Sequence, residues 1–215
     1  FDGTAQVLDG IDLTLGEGET LGIVGETGCG KSVSPPATEG VTDAKILAAA
    51  DGEWLSYGRD YGEQRFSNLT AINDGNVGQL GLAWSADLDT ARGQEATPLM
   101  HDGVLYTTTA WSMVKAYDAK TGALKWSYDP QVPREKLVEV CCDAVNRGVA
   151  LYGNKVYVGT LDGHLVALDA KTGERKWTFD PKVDKARGQK ACCDVVNRGV
   201  ALYKGKLFVG TIDGR

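Results

Sequence analysis

The chain has 215 residues, of which 42% are hydrophobic and 24% are charged, and its formal net charge is -6. These values are typical of a soluble globular protein, and the negative charge argues against nucleic acid as a partner. No stretch contains the roughly 18 consecutive apolar residues that a membrane-spanning helix needs. The 28 glycines, set against only 6 prolines, predict many tight turns and therefore many short strands.

The first part of the chain contains a complete phosphate-binding loop, residues 25–32, directly after a short apolar strand. In such a loop the backbone amides bind phosphate oxygens, the lysine binds the β and γ phosphates and the serine binds Mg²⁺. Residues 1–34 resemble the start of an ABC transporter ATP-binding subunit. Pro35 and Pro36 interrupt the helix that the loop requires, so binding of ATP with Mg²⁺ is only an alternative and residues 1–36 are predicted to be a leader. The candidate nucleotide ligands are Gly25, Gly28, Gly30, Lys31 and Ser32.

Two short elements are predicted before the repeats begin. Residues 43–50 form a candidate helix, for which Thr42 is a plausible N-cap and Gly52 lies just past the end. Residues 80–85 are predicted to form an apolar strand.

The second half of the chain contains a repeat with a period of 51 residues. The segment 118–122 (Asp-Ala-Lys-Thr-Gly) recurs at 169–173, and Trp126 recurs as Trp177. A period near fifty that is filled with short strands is typical of β-propeller blades. Within one repeat the predicted strands are 155–160, 164–169 and 174–179, joined by turns at 162–163 and 170–173.

Each repeat also carries two adjacent cysteines, within residues 141–148 and 192–199 (Cys-Cys-Asp-x-Val-Asn-Arg-Gly). Neighbouring Cα atoms lie about 3.8 Å apart, whereas an ordinary disulfide needs about 4.4–6.8 Å. A bond within a pair would therefore close a small, strained and rigid ring. The alternatives are four reduced, buried thiols or cross-links between the two pairs.

These motifs, together with residues 54–61 (Trp-Leu-Ser-Tyr-Gly-Arg-Asp-Tyr) and 93–98 (Gly-Gln-Glu-Ala-Thr-Pro), resemble the alcohol dehydrogenases that depend on pyrroloquinoline quinone (PQQ), in particular the quinohaemoprotein branch. The resemblance covers about residues 42–215. It implies an all-β fold over residues 37–215: a partial quinoprotein-type β-propeller, about three of eight four-stranded blades, behind the short N-terminal leader. The resemblance implies that each repeated tryptophan packs over the small repeated alanine and ties neighbouring blades together.

The resemblance also implies a cofactor site for PQQ. The ring formed by adjacent cysteines would lie against the cofactor plane, the arginine of the same motif would bind the quinone carbonyls, and Glu95 would contact PQQ from the first blade. Because the motif is duplicated, two sets of ligands are possible, and the earlier one is favoured. The candidate PQQ ligands are Glu95, Cys141, Cys142, Arg147, Cys192, Cys193 and Arg198.

The reaction implied by the resemblance is hydride transfer from a primary alcohol to PQQ, with Ca²⁺ in the full-length family and a haem protein as electron acceptor. The family's base and calcium ligands are expected beyond Arg215, so no catalytic or metal-binding residue is assigned and the chain alone is predicted not to turn over alcohol. The resemblance implies a periplasmic location, although no signal peptide pattern is present. Open blade edges are expected to favour self-association.

Three other interpretations stay open at the level of sequence. The chain could be a non-enzymatic propeller scaffold, similar to outer-membrane assembly lipoproteins, or an ATP-binding protein acting through residues 25–32. It could also be a composite sequence without an evolved function, because residues 141–163 and 192–214 agree at seventeen of twenty-three positions.

Overall fold

The computed structural model describes residues 40–139, 143–183 and 199–211. The phosphate-loop residues and both cysteine pairs therefore lie outside the described residues, as does Arg198. The predicted leader, residues 1–36, falls outside them in the same way.

The described part begins with the predicted helix, α1, which spans Asp43–Ala48. Its N-cap is the predicted one, because the Thr42 hydroxyl accepts a hydrogen bond from the Lys45 amide. The helix ends earlier than predicted. Ala49 adopts the left-handed conformation (φ 43°) and its amide binds the Lys45 carbonyl, so the helix is closed three residues before Gly52.

The rest of the described chain is built from two antiparallel four-stranded sheets and a two-stranded hairpin. Each four-stranded sheet is a meander in chain order, as a propeller blade requires. The first sheet contains β1 (Leu99–His101), β2 (Val104–Thr108), β3 (Val114–Asp118) and β4 (Leu124–Tyr128). The second contains β5 (Ala150–Tyr152), β6 (Lys155–Gly159), β7 (Leu165–Asp169) and β8 (Arg175–Phe179), and the hairpin contains β9 (Ala201–Tyr203) and β10 (Lys206–Phe208). Short 3₁₀ helices lie at Val77–Gln79, Ala110–Ser112 and Arg134–Glu139.

The predicted all-β blade architecture is thus confirmed, and the predicted strands of the second repeat agree with β6, β7 and β8 to within one residue at each end. The inner strands β6 and β7 are buried on both faces, whereas the outer strand β8 is largely exposed. Apolar residues of both sheets and of α1 belong to one core cluster, which includes Ile46, Val114 and Val156. The two blades and α1 therefore share a hydrophobic core.

The predicted strand at residues 80–85 is wrong. This segment pairs with no neighbouring strand, and its side chains at Leu80 and Leu82 are exposed. Its apolar composition suits a strand, but a strand also needs a backbone partner to bind its amides and carbonyls. Within the described residues, none runs beside it.

Tryptophan residues connect successive units, as predicted. Trp126 lies at the end of the first blade and its Nε1 donates to the Ala170 carbonyl of the second blade at 3.0 Å. The indole packs on Gly173, where a Cβ atom would lie only 2.6 Å from the ring. Trp84 repeats this arrangement one unit earlier, with Gly122 beneath the ring and Ala119 as acceptor. The indole therefore contacts the glycine of the next repeat.

Replacing Trp126 by phenylalanine is expected to cost about 1 to 2 kcal/mol more than replacing Trp177. Both rings lie about equally far from a tyrosine, at 6.0 Å from Tyr106 and 5.9 Å from Tyr157. Only Trp126 loses a hydrogen bond, because Trp177 Nε1 is buried without a partner among the described residues. Urea unfolding of the two variants measures the difference, and equal losses would contradict the expectation.

Asp43 at the start of α1 fastens the helix to the strands. Its carboxylate accepts hydrogen bonds from Tyr61 at 2.7 Å, from Tyr152 at 2.9 Å and from the Lys204 amide at 2.7 Å. Burial opposes the charge, but the three donors outweigh burial and lower the pKa of Asp43. One carboxylate thus joins α1, the second blade and the final hairpin.

Candidate functional site

The topology brings several loops to the same edge of the two sheets. In each antiparallel meander, the starts of the first and third strands and the ends of the second and fourth strands lie at that edge. The loops there are the segment before β1, the β2–β3 turn, the β4–β5 connection and the β6–β7 turn. We call this the site edge, because two of the predicted PQQ ligands lie in these loops.

Glu95 and Arg147 come together at the site edge although 51 residues separate them in the chain. Arg147 Nε donates to Glu95 Oε2 at 3.0 Å. The arginine side chain is 52% exposed and the glutamate side chain 42% exposed. The pair joins the loop before the first blade to the loop between the blades. Both side chains remain open to a ligand.

Asn146, next to Arg147, is buried and fully engaged. Its Nδ2 donates to the Gly159 carbonyl at 2.8 Å and to Ser112 Oγ at 3.0 Å. Its Oδ1 accepts from the Gly148 amide at 3.0 Å. Asparagine suits this position because it offers donors and an acceptor on one short side chain.

A second group of contacts surrounds Trp111 in the β2–β3 turn. The Arg134 guanidinium lies 4.2 Å from the centre of the indole ring and that of Arg92 lies 5.4 Å from it. Arg92 also forms an ion pair with Asp143, the acidic residue of the cysteine motif. The cation–π contacts and the ion pair together anchor Asp143 to the first blade.

In the β6–β7 turn, His164 lies between two carboxylates. Its Nδ1 is 3.1 Å from Asp162 Oδ1 and its Nε2 is 3.9 Å from Asp180 Oδ2. The hydrogen bond to Asp162 raises the pKa of His164 more than burial lowers it. Burial raises the pKa of Asp162, but hydrogen bonds from His164 and Thr160 outweigh burial and leave it lowered.

The interaction of His164 with Asp162 is expected to make the free energy of unfolding depend on pH near neutrality. Because the folded-state pKa of His164 is raised, its contribution is fully present below about pH 6.5, the unfolded value. That contribution is lost as the pH rises through the folded-state pKa. His164→Gln should therefore reduce the unfolding free energy more at pH 5.5 than at pH 9, as measured by urea denaturation. A difference that is the same at both pH values would contradict this.

Of the predicted PQQ ligands, the structure thus brings Glu95 and Arg147 into contact. The other candidates (Cys141, Cys142, Cys192, Cys193 and Arg198) and the nucleotide candidates lie outside the described residues. In the described part of the chain, no group of three or more histidine, cysteine and acidic side chains is arranged to hold a metal ion. None of its helices has the length and apolar character that crossing a membrane would require.

Sequence analysis missed Ser112, Arg92 and Trp111. No motif marks them, but one signal was available. A register shift of 51 residues aligns Ser112 with Gly163 and Trp111 with Asp162, so the first blade carries bulkier residues in a turn where the second blade has a typical Asp-Gly pair.

The two four-stranded antiparallel meanders are those of a β-propeller, and comparison with known proteins gives the family. Residues 54–156 and 150–215 match the family described as PQQ, glucose/ethanol/alcohol dehydrogenase, beta-propeller domain. The chain belongs to this family.

Individual relatives are similar over most of the chain. The quinohemoprotein alcohol dehydrogenase ADH IIB of Pseudomonas putida is 54% identical over 173 residues, which are 80% of this chain and 24% of that protein. The dehydrogenase subunit of the quinone alcohol dehydrogenase of Komagataeibacter europaeus is 51% identical over 174 residues, again 80% and 24%. The chain thus spans about a quarter of the length of the curated relatives it matches.

Solved structures give the same result. Quinohemoprotein alcohol dehydrogenase ADHIIG of Pseudomonas putida HK5 aligns with a TM-score of 0.75 and 50% identity, covering 83% of this chain and 25% of that one. A europium-containing methanol dehydrogenase aligns with a TM-score of 0.68 and 34% identity, covering 77% and 28%. The resemblance of residues 1–34 to an ABC transporter subunit, and with it the ATP and Mg²⁺ alternative, finds no support in these comparisons.

Proposed function

We propose that this chain is part of a quinoprotein alcohol dehydrogenase, in which PQQ takes up hydride from a primary alcohol. The family match and the 54% identity to a quinohemoprotein alcohol dehydrogenase support the proposal. The chain would supply one side of the cofactor site, formed by loops at the site edge. Residues 37–215 would form this propeller segment and residues 1–36 a separate leader.

The observation that carries the proposal is the contact between Arg147 and Glu95. A planar guanidinium matches carbonyl and carboxylate oxygens, which PQQ presents around its rings. Because the side chains are half-exposed, Arg147 can bind the cofactor without first being released from the core. Glu95 holds the guanidinium through Nε and so directs the other end of the group outward. Arg147 would bind the quinone carbonyls. Glu95 would orient the Arg147 guanidinium and the cofactor.

Arg147→Ala is expected to weaken PQQ binding about 10-fold or more, because charge-assisted hydrogen bonds are worth about 1.5–3 kcal/mol each. Arg147→Lys keeps the charge but not the fork of donors, and should fall in between. Titration of the 215-residue chain with PQQ, followed by tryptophan fluorescence, measures both. Lys171→Ala is the control, since it removes an exposed cation from the turn at the opposite edge.

Equal affinity in the native chain and in Arg147→Ala would remove Arg147 from the site. If the native chain itself does not bind PQQ, the cofactor part of the proposal fails for this segment. Alcohol turnover is a separate measurement: the chain alone is expected to show no dye reduction with ethanol, PQQ and Ca²⁺, and a robust rate would overturn that expectation.

The metal, the electron acceptor and the cellular location are proposed from the family. We propose Ca²⁺ as the metal of the complete enzyme, a haem protein as the electron acceptor and the periplasm as the location. Names of relatives such as 1-butanol dehydrogenase (cytochrome c) from Thauera butanivorans support an alcohol substrate and a cytochrome acceptor. Open blade edges would also favour self-association.

The alternative of a non-enzymatic scaffold is tested through the cysteines. A cofactor platform needs a bond within a pair, whereas a scaffold has no use for either pair. Peptide mapping by mass spectrometry under non-reducing conditions distinguishes the two. Bonds within Cys141–Cys142 or Cys192–Cys193 support the PQQ platform, and four free thiols or bonds between the pairs count against it.

A further inference from the structure

The backbone around Arg147 is held by the side chain of its neighbour. The bond from the Gly148 amide to Asn146 Oδ1 closes an Asx turn with Arg147 at its centre. Gly148 adopts φ +121°, and a Cβ there would lie 3.3 Å from the Thr97 carbonyl. The direction in which Arg147 leaves the backbone therefore depends on how the Asn146 amide is oriented.

That orientation is fixed by its partners. The Gly159 carbonyl can only accept and the Gly148 amide can only donate, so Nδ2 must face the former and Oδ1 the latter. The remaining Nδ2 proton is directed to Ser112 Oγ. Asn146 is 4% exposed, so water does not easily replace a lost partner.

Ser112 is the residue that completes this arrangement. It is completely buried, and its Oγ accepts from Asn146 Nδ2 and from the Leu161 amide, each at 3.0 Å. One hydroxyl from the first blade thus binds both the loop that carries Arg147 and the β6–β7 turn of the second blade.

The backbone conformation at Ser112 is energetically unfavourable for any residue that has a side chain. Its φ is +58°, a region in which residues with a side chain are disfavoured by about 1–2 kcal/mol. The position 51 residues later is Gly163, with φ +89°. A glycine would therefore make the turn without strain, and what serine adds is the hydroxyl.

We propose that Ser112 is a positioning residue for the cofactor site, which orients Asn146 and through it aims the Arg147 guanidinium at Glu95 and the ligand. The identity of that ligand as PQQ rests on the proposed function. The aiming of Arg147 does not, so the two can be tested apart.

Ser112→Gly removes the hydroxyl and gives the turn the residue that the second blade uses. The first measurement is the order parameter of the Arg147 Nε–H group by ¹⁵N relaxation in the 215-residue chain, with the resonance assigned by its loss in Arg147→Lys. We expect it to fall toward the range of flexible groups, below about 0.6. Ser127→Ala, an exposed serine of β4, is the control and should leave it unchanged.

The second measurement is PQQ affinity in a double-mutant cycle. Ser112→Gly should weaken binding about 10-fold, but should cost nothing further in the Arg147→Ala background, because its effect passes through Arg147. Ser112→Ala, which keeps the Cβ, repeats both measurements.

An Arg147 order parameter that is unchanged in the Ser112 variants would overturn the proposal, whether or not PQQ binds. Additive losses in the cycle, or loosening of all loops to the same degree, would also overturn it, since both indicate a merely structural serine. If Arg147 loosens selectively while even the native chain fails to bind PQQ, the positioning role stands and the proposed cofactor fails.

Discussion

Replacing Gly173 by alanine is expected to destabilise the chain by about 3 kcal/mol. The backbone at Gly173 has φ +74°, and the added Cβ would lie 2.6 Å from the Trp126 ring. The left-handed conformation accounts for about 1–2 kcal/mol. Displacing the indole accounts for the rest, because the ring is buried and tied through Nε1 to Ala170.

Gly103→Ala is the matched control for this effect. Gly103 has φ +72°, nearly the same backbone, but no atom lies within 4 Å of its Cβ position. Gly103→Ala should cost only the conformational part, about 1–2 kcal/mol. Chemical denaturation of both variants gives the contribution of tryptophan docking as their difference. Equal losses would mean that the indole is easily displaced and that docking contributes little.

Asn146→Asp is expected to cost about 3 kcal/mol at neutral pH, although the two side chains have nearly the same shape. The new oxygen would face the Gly159 carbonyl, where Asn146 Nδ2 now donates at 2.8 Å. A buried carboxylate next to another acceptor loses its hydration and gains repulsion. Asn154→Asp is the control, because that side chain is exposed and its replacement should change stability little.

The Asn146→Asp defect should become smaller in acid. Burial raises the pKa of such a carboxyl above its unfolded value of about 3.9, so the folded state binds the proton more readily than the unfolded state. The variant therefore gains stability relative to the native chain as the pH falls through the folded-state pKa. Urea unfolding at pH 4 and pH 7 measures this. A defect that is independent of pH would indicate that the cost is steric.

The repeating part of the fold could be predicted well from sequence because its signals are local. The turn formed by residues 169–173 places Asp169 Oδ1 as acceptor for the amides of Lys171 and Thr172, a geometry that the segment itself contains. The strands on either side alternate or are uniformly apolar. Residues 80–85 show the opposite case, since their composition suits a strand but strand formation depends on a partner elsewhere in the chain.

The candidate site divides in the same way. Glu95 and Arg147 could be nominated from short motifs through a family resemblance, and the structure brings them to 3.0 Å. Ser112 could not be nominated, because a single serine in a turn carries no pattern. Its role depends on atoms of Asn146 and Leu161, 34 and 49 residues further along.

The sequence by itself determined the blade period, the strands of the second repeat, the cap of α1 and the family, all of which depend on residues near one another or on recurring motifs. Only the tertiary structure decided which glycine each indole packs on, how the Asn146 side chain is oriented and which hydroxyl binds Asn146 next to Arg147. These are contacts between loops of different blades. They depend on the packing of one sheet against the next, and that packing is a property of the assembled core rather than of any short stretch of the chain.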